Sequence, residues 1–470
     1  MRILLISPSQ ENVYGKKMMP NYPPLGLLYI GTVAKNAGHD VRLVDIDTEQ
    51  IKDTTFDSIF REFNPEVVGL TCTTPIFKNA LEWASRCKKL KRKITVVMGG
   101  VHATSDSREV IKEKSIDIVV VGEGESTARE LFDVLSSKNK SLRKVKGILY
   151  KQNSKVVITE PRELIVNLDT IPFPDRSLLI HPERFYPIDA INLPAVGMMT
   201  SRGCPGGCTF CCARNVFTRR FRFRSTENLI EEIEMLVNKG VKEIHFLDDA
   251  FSIDKRRALD FCREVRKRKI KVSFQFINGL RADFVDREIL LALRLMGVKT
   301  IGFGVETGNE DVLRRIKKGI TLKTTRKAYR LSKKLGFETW AFLIFGLPGE
   351  TEESARQTVE FTKELDPDFA KFLILKPYPG SEVYQELRAN NLLLSTDYNQ
   401  YGIYTSPVHN LPSFSSERML YWQKRAFWEF YLRPAKIFSH LKRVRSLTQL
   451  KLLIIDSLFI FHIIFRRSKA

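Results

Sequence analysis

No apolar run in these 470 residues reaches the roughly 18–20 needed to cross a bilayer as a helix, so a membrane-spanning anchor is not expected. The opening Met1-Arg2-Ile3-Leu4-Leu5-Ile6-Ser7-Pro8 carries too short an apolar stretch for a signal-peptide core and reads as a strand. Internal repeats and low-complexity tracts are also missing. Acidic residues are in deficit, 54 Asp and Glu against 76 Lys and Arg, for a net charge of +22. Such a surface points to an acidic partner: nucleic acid, an anionic membrane or a phosphorylated substrate. Cysteine is scarce and odd in number, at seven, and four of the seven lie between 204 and 212. That is poor material for a secreted disulfide framework and ordinary for a metal site in the cytosol. At 43% hydrophobic and 28% charged the composition is globular, which excludes collagenous and wholly disordered chains. The length leaves room for two or three domains.

The first half alternates short apolar runs with stretches of helical length. Strands are expected at 2–7, 41–45, 67–71, 95–98 and 116–121, with helices at 25–36, 48–63, 76–89 and 126–136. Near-continuous apolar strands fit a parallel sheet covered on both faces, hence an α/β, Rossmann-like, doubly wound domain over 1–140. Ligands of such sheets bind beyond the strand carboxyl ends. Those ends carry Ser7, Thr71 and Thr73, Gly99, Gly100 and His102, and Gly122 and Glu123. Glycines there permit close backbone approach and hydroxyls bond a polar ligand, although the same residues also serve as plain turns. No Gly-x-Gly-x-x-Gly follows the first strand, which argues against a nicotinamide dinucleotide. A basic stretch with a hairpin-like pattern at 147–158, followed by a proline-punctuated segment, makes 141–192 a linker.

The chemistry enters at Thr200-Ser201-Arg202-Gly203-Cys204-Pro205-Gly206-Gly207-Cys208-Thr209-Phe210-Cys211-Cys212. Cys204, Cys208 and Cys211 form Cys-x3-Cys-x2-Cys in a tight loop after an apolar strand at 195–199. Thiolates hold iron–sulfur clusters, and they also suit zinc. A structural zinc needs four closing ligands, and a fourth from Cys212, adjacent to Cys211, would be strained. Three cysteines on a four-iron cluster leave one iron open to a small molecule. Cys212 is read as a buried small apolar residue.

This spacing, with aromatic Phe210 before the last cysteine, resembles the radical S-adenosylmethionine superfamily. The resemblance implies that Cys204, Cys208 and Cys211 hold a 4Fe–4S cluster and that S-adenosylmethionine chelates its open iron. One-electron reduction would then release a 5′-deoxyadenosyl radical that abstracts hydrogen from the substrate. Further strand–helix cycles fit a partial (β/α)6 barrel over 193–400, with strands at 242–247, 272–276, 300–304, 339–345 and 370–375. Polar residues at strand carboxyl ends line the site of a parallel barrel. Asp248, Arg281 and Glu306 hold such places, and the resemblance assigns this rim, with Phe210, to binding S-adenosylmethionine. Gly304-Val305-Glu306-Thr307-Gly308 and Gly346-Leu347-Pro348-Gly349-Glu350-Thr351 are both common in the superfamily, and the likeness covers 195 to about 390.

An N-terminal domain with Pro23-Pro24-Leu25-Gly26-Leu27, Gly99-Gly100-Val101-His102-Ala103-Thr104 and Gly122-Glu123-Gly124-Glu125 resembles the cobalamin-binding class of these enzymes. The resemblance implies cobalamin on the rim of Ser7, Thr71, Thr73, Gly99, Gly100, His102, Gly122 and Glu123. Asp-x-His-x-x-Gly, which supplies a lower histidine to cobalt in many cobalamin proteins, is absent, and His102 is read as a hydrogen-bonded turn histidine. An electron donor such as flavodoxin or ferredoxin is the implied protein partner.

The region 401–470 reads as a basic, helical tail. From Phe430 onward nine Lys and Arg face one acid, Asp456, and 452–465 is apolar apart from that acid, Ser457 and His462. It is too short to span a bilayer. It can lie in an anionic membrane interface or pack on the barrel. The cysteine loop and this tail together favour a cytoplasmic enzyme, attached peripherally to the inner face of the membrane if the tail docks there. Basic residues interleave with aromatics only at 217–224, so nucleic acid is the weaker partner. The function expected is methyl transfer to an unactivated carbon of a lipid or other apolar substrate. The alternatives are oxidative cyclisation of the anaerobic Mg-protoporphyrin ester cyclase kind and a nucleic-acid-binding sensor. Replacing Cys204, Cys208 and Cys211 together by alanine is expected to remove the brown absorbance of the purified protein and its reductive cleavage of S-adenosylmethionine. Retention of both overturns the assignment, as does zinc in place of iron on elemental analysis.

Overall fold

Residues 1–15, 21–138, 141–185, 187, 190–443, 458, 460, 461 and 463–465 are described by the structure, a computed structural model. Strands β1 (Arg2–Ser7), β2 (Asp40–Asp45), β3 (Val67–Thr71), β4 (Thr95–Gly99) and β5 (Ile118–Val120) run parallel in the order β2-β1-β3-β4-β5. The order reverses between β1 and β3, which opens the crevice where doubly wound sheets take ligands. One face buries Leu4, Ile6, Val68 and Met98 against helices Asp53–Phe63 and Phe77–Leu90. The other buries Ile3, Leu5, Leu43 and Val97 against Leu25–Asn36 and Glu125–Ser136. This is the two-sided burial that the apolar runs required.

Two expectations need correction. The hairpin assigned to the linker, β6 (Ile148–Gln152) and β7 (Lys155–Ile158), continues the N-terminal sheet antiparallel to β5. Ile148, Leu149 and Tyr150 are buried there, so leaving them in a solvated linker would expose apolar surface. The helix expected from 48 starts at Asp53, because Thr48 and Glu49 fold back on Asp45. The Thr48 amide donates to Asp45 Oδ1 at 2.9 Å, and the Asp45 amide donates to Glu49 Oε2 at 2.9 Å.

The second half is the expected partial (β/α)6 barrel. Strand β8 (Ala195–Met198) is followed by a short antiparallel pair, β9 (Ser201–Arg202) and β10 (Arg222–Phe223). Five further strands follow: β11 (Glu243–Phe246), β12 (Ser273–Phe276), β13 (Thr300–Glu306), β14 (Glu338–Phe345) and β15 (Phe369–Ile374). They form two parallel sheets, β8-β11-β12 and β13-β14-β15, joined where Leu280 bridges Phe303. The largest core lies between these strands and the outer helices, with Phe246, Phe274, Phe303, Phe345 and Phe372 among its fully buried rings. Helix Ser416–Tyr431 backs the last strand, where Phe427 meets Phe372 edge-on at 5.2 Å. No helix among the described residues is long and apolar enough to cross a membrane. Of the tail stretch 452–465, Ile463 is buried in the barrel core, with Ile460 and Ile464 packed beside it. Leu458, Phe461 and Phe465 are exposed, and the rest of that stretch lies outside the described residues.

Three arginine–glutamate pairs tie the halves together. Arg202 Nη1 donates to Glu123 Oε1 at 2.9 Å, its Nη2 donates to Glu125, and Arg222 Nη1 donates to Glu123 Oε2 at 2.7 Å. The Ile165 amide completes the ring on Glu123 Oε2 at 2.9 Å. None of these side chains is more than 10% exposed. A buried ion pair adds little over an apolar pair, but breaking one strands a charge. A second tie runs from Tyr22, whose hydroxyl bonds His245 Nδ1, to Glu243, which bonds His245 Nε2 at 2.6 Å. Glu123→Ala is expected to destabilise the protein by about 3–5 kcal/mol, read as a lowered urea midpoint. A midpoint equal to that of the unmodified protein would show that the clamp contributes nothing.

Candidate active site

The cysteine loop is closed at its base by the β9–β10 pair. Gly203 has φ +86°, and a Cβ there would lie 2.3 Å from the Arg220 carbonyl oxygen, so only glycine fits where the loop departs. The Thr209 amide donates to the Ile316 carbonyl at 3.0 Å, and the Thr209 carbonyl accepts from Val383, which pins the loop to later barrel segments. Cys204, Cys208, Cys211 and Cys212 are all free and half-buried. Burial pushes the Cys208 thiol up, Cys211 up to about 11 and Cys212 up to about 12. Thiols held this high ionise when a cation coordinates them. Cys212 Sγ bonds the Pro379 carbonyl at 3.5 Å. Among the described residues no three Cys, His, Asp or Glu side chains converge on one ion position. A set of three thiols spread around a glycine-rich loop suits a polynuclear cluster better than a single tetrahedral ion.

Around this loop the rim differs in detail from the sequence reading. Asp248 is not open to a ligand. It is 3% exposed and accepts from the Thr200 amide at 2.7 Å and from the Thr200 and Ser201 hydroxyls, which locks β11 to the end of β8. Its neighbour Asp249 is the half-buried carboxylate without a hydrogen-bond partner among the described residues. Burial, and then Asp248, push Asp249 up to about 6, and its charge in turn raises the Cys211 thiol.

Arg281 hangs over the loop. A Cβ on Gly206 would meet its Nη1 at 2.9 Å and Cys204 Sγ at 3.3 Å. Asp283 holds the guanidinium through Nε and Nη2 at 3.1 and 2.8 Å, and Lys318 O takes Nη2 at 3.1 Å, which leaves Nη1 for a ligand. Glu306 sits at a bulge on β13 with φ +63° and pairs with Lys318, both buried. Burial works against the Lys318 charge, and Glu306 and the Cys208 thiol outweigh it, so its pKa is raised. Phe210 is half-buried against the barrel core. Sequence reasoning missed Lys318 and Asp249. Nothing marks Lys318 among 76 basic residues, whereas the Asp248-Asp249 pair itself was the available signal.

On the N-terminal rim, Thr71, Gly99, Gly100 and Gly122 are half-buried and Thr73 is exposed, a row of small residues beyond the strand ends. Gly100, at φ +103°, brings the chain so close that a Cβ would lie 2.7 Å from the Cys72 carbonyl oxygen. Gly122 has open space where a Cβ would stand. Three residues assigned to this rim are engaged elsewhere. Ser7 is buried and bonds Asp45, and Glu123 belongs to the arginine clamp. His102 is 1% exposed, bonds Thr74 Oγ1 through Nδ1 at 3.2 Å and is covered by Phe77 and Tyr398 at 4.5 and 5.0 Å. Burial lowers its pKa to about 4. His102 is thus hydrogen-bonded and buried, within the short helix Val101–Ser105 rather than in a turn, with Nε2 left unpartnered. Small residues along the remaining rim and the open space at Gly122 leave room for a ligand there.

The family model of the radical SAM superfamily matches residues 198–362, and that of the B12 binding domain matches residues 12–132. An uncharacterized methyltransferase of Pyrococcus horikoshii is 37% identical over 446 residues, 94% of this chain and 95% of that one. The anaerobic magnesium-protoporphyrin IX monomethyl ester cyclase of Cereibacter sphaeroides is 28% identical over 93% of this chain and 71% of its own. The fold matches that of OxsB, a cobalamin-dependent S-adenosylmethionine radical enzyme solved with aqua-cobalamin and S-adenosylmethionine bound. The TM-score is 0.74 at 20% identity, over 98% of this chain and 71% of that one. The cofactors that go with the two matched domains are a 4Fe–4S cluster and S-adenosylmethionine for the barrel and cobalamin for the N-terminal sheet. The chain belongs to the cobalamin-binding class of the radical S-adenosylmethionine superfamily and is an enzyme.

Proposed function

We propose that this enzyme transfers a methyl group to an unactivated carbon of an apolar substrate held in the barrel. When bound, the cluster supplies the electron that cleaves S-adenosylmethionine to a hydrogen-abstracting radical, and cobalamin supplies the methyl group. Cys204, Cys208 and Cys211 hold the cluster. Arg281 Nη1 would bind the carboxylate of S-adenosylmethionine and Asp249 a cationic group of it, with the Glu306–Lys318 pair and Phe210 beside the same loop. Thr71, Thr73, Gly99, Gly100 and Gly122 carry cobalamin. The observation that carries the reading is the arginine clamp. It starts on Arg202, two residues before Cys204, and ends on Glu123 and Glu125 in the loop at the cobalamin rim. A methyl donor and a radical source must meet one substrate carbon, and a rigid join between their two loops provides for that.

Cyclisation without methyl transfer is the rival, favoured by the resemblance to the cyclase. S-adenosylmethionine labelled in its methyl group separates the two. Label is expected in the product, with 5′-deoxyadenosine and S-adenosylhomocysteine formed together. A labelled-methyl balance that leaves the product unlabelled while 5′-deoxyadenosine accumulates would sink the methylation reading.

The proposal extends to a membrane-facing side. Trp428, Phe438, Leu441, Leu458, Phe461 and Phe465 are 45–69% exposed, while Ile463 of the same tail is buried in the core. Phe465 meets Trp428 at 6.4 Å and stacks on Phe461 at 6.0 Å. Exposed apolar side chains in a segment rich in Lys and Arg suit an anionic bilayer surface, with each basic residue adding about 1 kcal/mol. The substrate class that fits such a surface is a lipid. Phe438→Ser, Phe461→Ser and Phe465→Ser together are expected to abolish sedimentation with phosphatidylglycerol vesicles at low salt while the fold survives. Unchanged sedimentation of the triple variant overturns the docking.

A further inference from the structure

The barrel lumen is lined asymmetrically. On β14 the residues Glu338, Trp340, Phe342 and Ile344 are half-buried and their alternates fully buried, and on β15 Phe369, Lys371 and Leu373 follow the same rule. The half-buried set faces the lumen, because the alternates Ala341, Leu343, Phe345, Ala370, Phe372 and Ile374 belong to the core under the outer helices. Beside this wall β13 carries no side chain at Gly302, which pairs with Trp340, and the loop after β12 carries none at Gly279. A Cβ on Gly302 would lie 2.7 Å from the Phe342 ring, and one on Gly279 would lie 2.9 Å from it. The lumen thus has an aromatic wall on β14 and β15, with Trp340 stacked on Phe369 at 4.5 Å, beside a strand left bare at Gly302.

One cation stands in it. Lys371 Nζ lies 5.1 Å from the Trp340 ring centre and 5.8 Å from that of Phe342. Among the described residues it has no carboxylate within 4.0 Å and no hydrogen-bond acceptor. Other buried cations of the barrel have oxygen partners. Lys318 pairs with Glu306, Arg224 with Glu232 and Lys436 with Asp366, and Lys376 donates to three carbonyls. A half-buried ammonium on an apolar wall is held poorly by ring faces alone and gains most from an anion.

We propose that Lys371 anchors an acidic group of the substrate, which is therefore an apolar molecule ending in an oxyanion, a carboxylate or a phosphate. The proposal rests on the reading above in one respect, that the lumen receives the substrate. Lys371 pairs in register with Phe342 and lies three residues before the end of its strand, on the order of 10 Å below the rim. Ile344 and Leu373 lie between, so the apolar body passes them and the reacting carbon stands at the rim about that far from the oxyanion.

Octanoate, octyl phosphate and octanol share a chain and differ in the head group. Equilibrium dialysis against the anaerobically purified holoenzyme is expected to show octanoate or octyl phosphate bound at least fivefold more tightly than octanol. Whichever is preferred identifies the oxyanion. Lys371→Met should abolish that preference and Lys371→Arg should keep it, each variant checked for an unchanged circular dichroism spectrum. Equal binding of octanol by the unmodified protein, or a preference that survives in Lys371→Met, overturns the proposal. The methyl-label experiment reads the reaction separately. If label never reaches product while the dialysis preference stands, the reaction is wrong and the anchor is not.

Discussion

Glu123 accepts from two arginines and one backbone amide in a space that water does not reach, and much of this enzyme is arranged about that carboxylate. Arg202 comes from the short strand that opens the cysteine loop, and Arg222 from the strand that closes it. Glu123 itself follows Gly122, where the N-terminal sheet turns into its last helix. The two guanidiniums bring charge into the interior only because the glutamates neutralise it, and neither side is stable there alone. Tyr29 and Phe217 flank Arg202 at 5.6 and 5.3 Å, so the charged group is also walled by rings. Burial works against the Glu123 carboxylate, and Arg222 and Arg202 outweigh it and hold its pKa below the usual range. The pairing therefore persists across the neutral range and weakens only in acid.

Much of the architecture was legible in the residue order, for a physical reason. Parallel strands buried on both faces must be apolar throughout, and 2–7, 67–71 and 95–98 could hardly be anything else. That Cys204, Cys208 and Cys211 share one tight loop was legible because Pro205, Gly206 and Gly207 lie among them. The rest depended on tertiary partners that lie far away in sequence. Asp248 and Asp249 are indistinguishable as letters. Thr200 and Ser201, some 48 residues earlier, take the first and leave the second. Glu123 looked like a rim residue until Arg202 and Arg222, 79 and 99 positions later, proved to hold it. Lys318 earned no notice in a chain this basic, yet it neutralises Glu306 beneath the cluster loop. The hairpin at 148–158 was misplaced because a few residues of alternating pattern do not say which sheet they will join.

Barrel and sheet make different use of glycine. On the N-terminal rim Gly100 and Gly122 adopt positive φ and let the chain turn sharply at the strand ends. In the barrel, Gly302 has no such need, and its missing side chain makes room for the Phe342 ring. The lumen is thus shaped by subtraction on β13 and by aromatic bulk on the neighbouring β14. Glu350 belongs to a third kind of buried feature. Fully buried, it accepts from the Gly346 and Leu347 amides, and burial outweighs these bonds and pushes its carboxyl up to about 8.

The closed base of the cysteine loop bears on the entropy of the site. Strands β9 and β10, the buried arginines and the backbone bonds from Thr209 to Ile316 and Val383 are contacts of the protein chain with itself. The entropy of gathering Cys204, Cys208 and Cys211 into one loop is therefore met in part by the folding of the chain. Whatever the three thiols hold has only the remainder to meet.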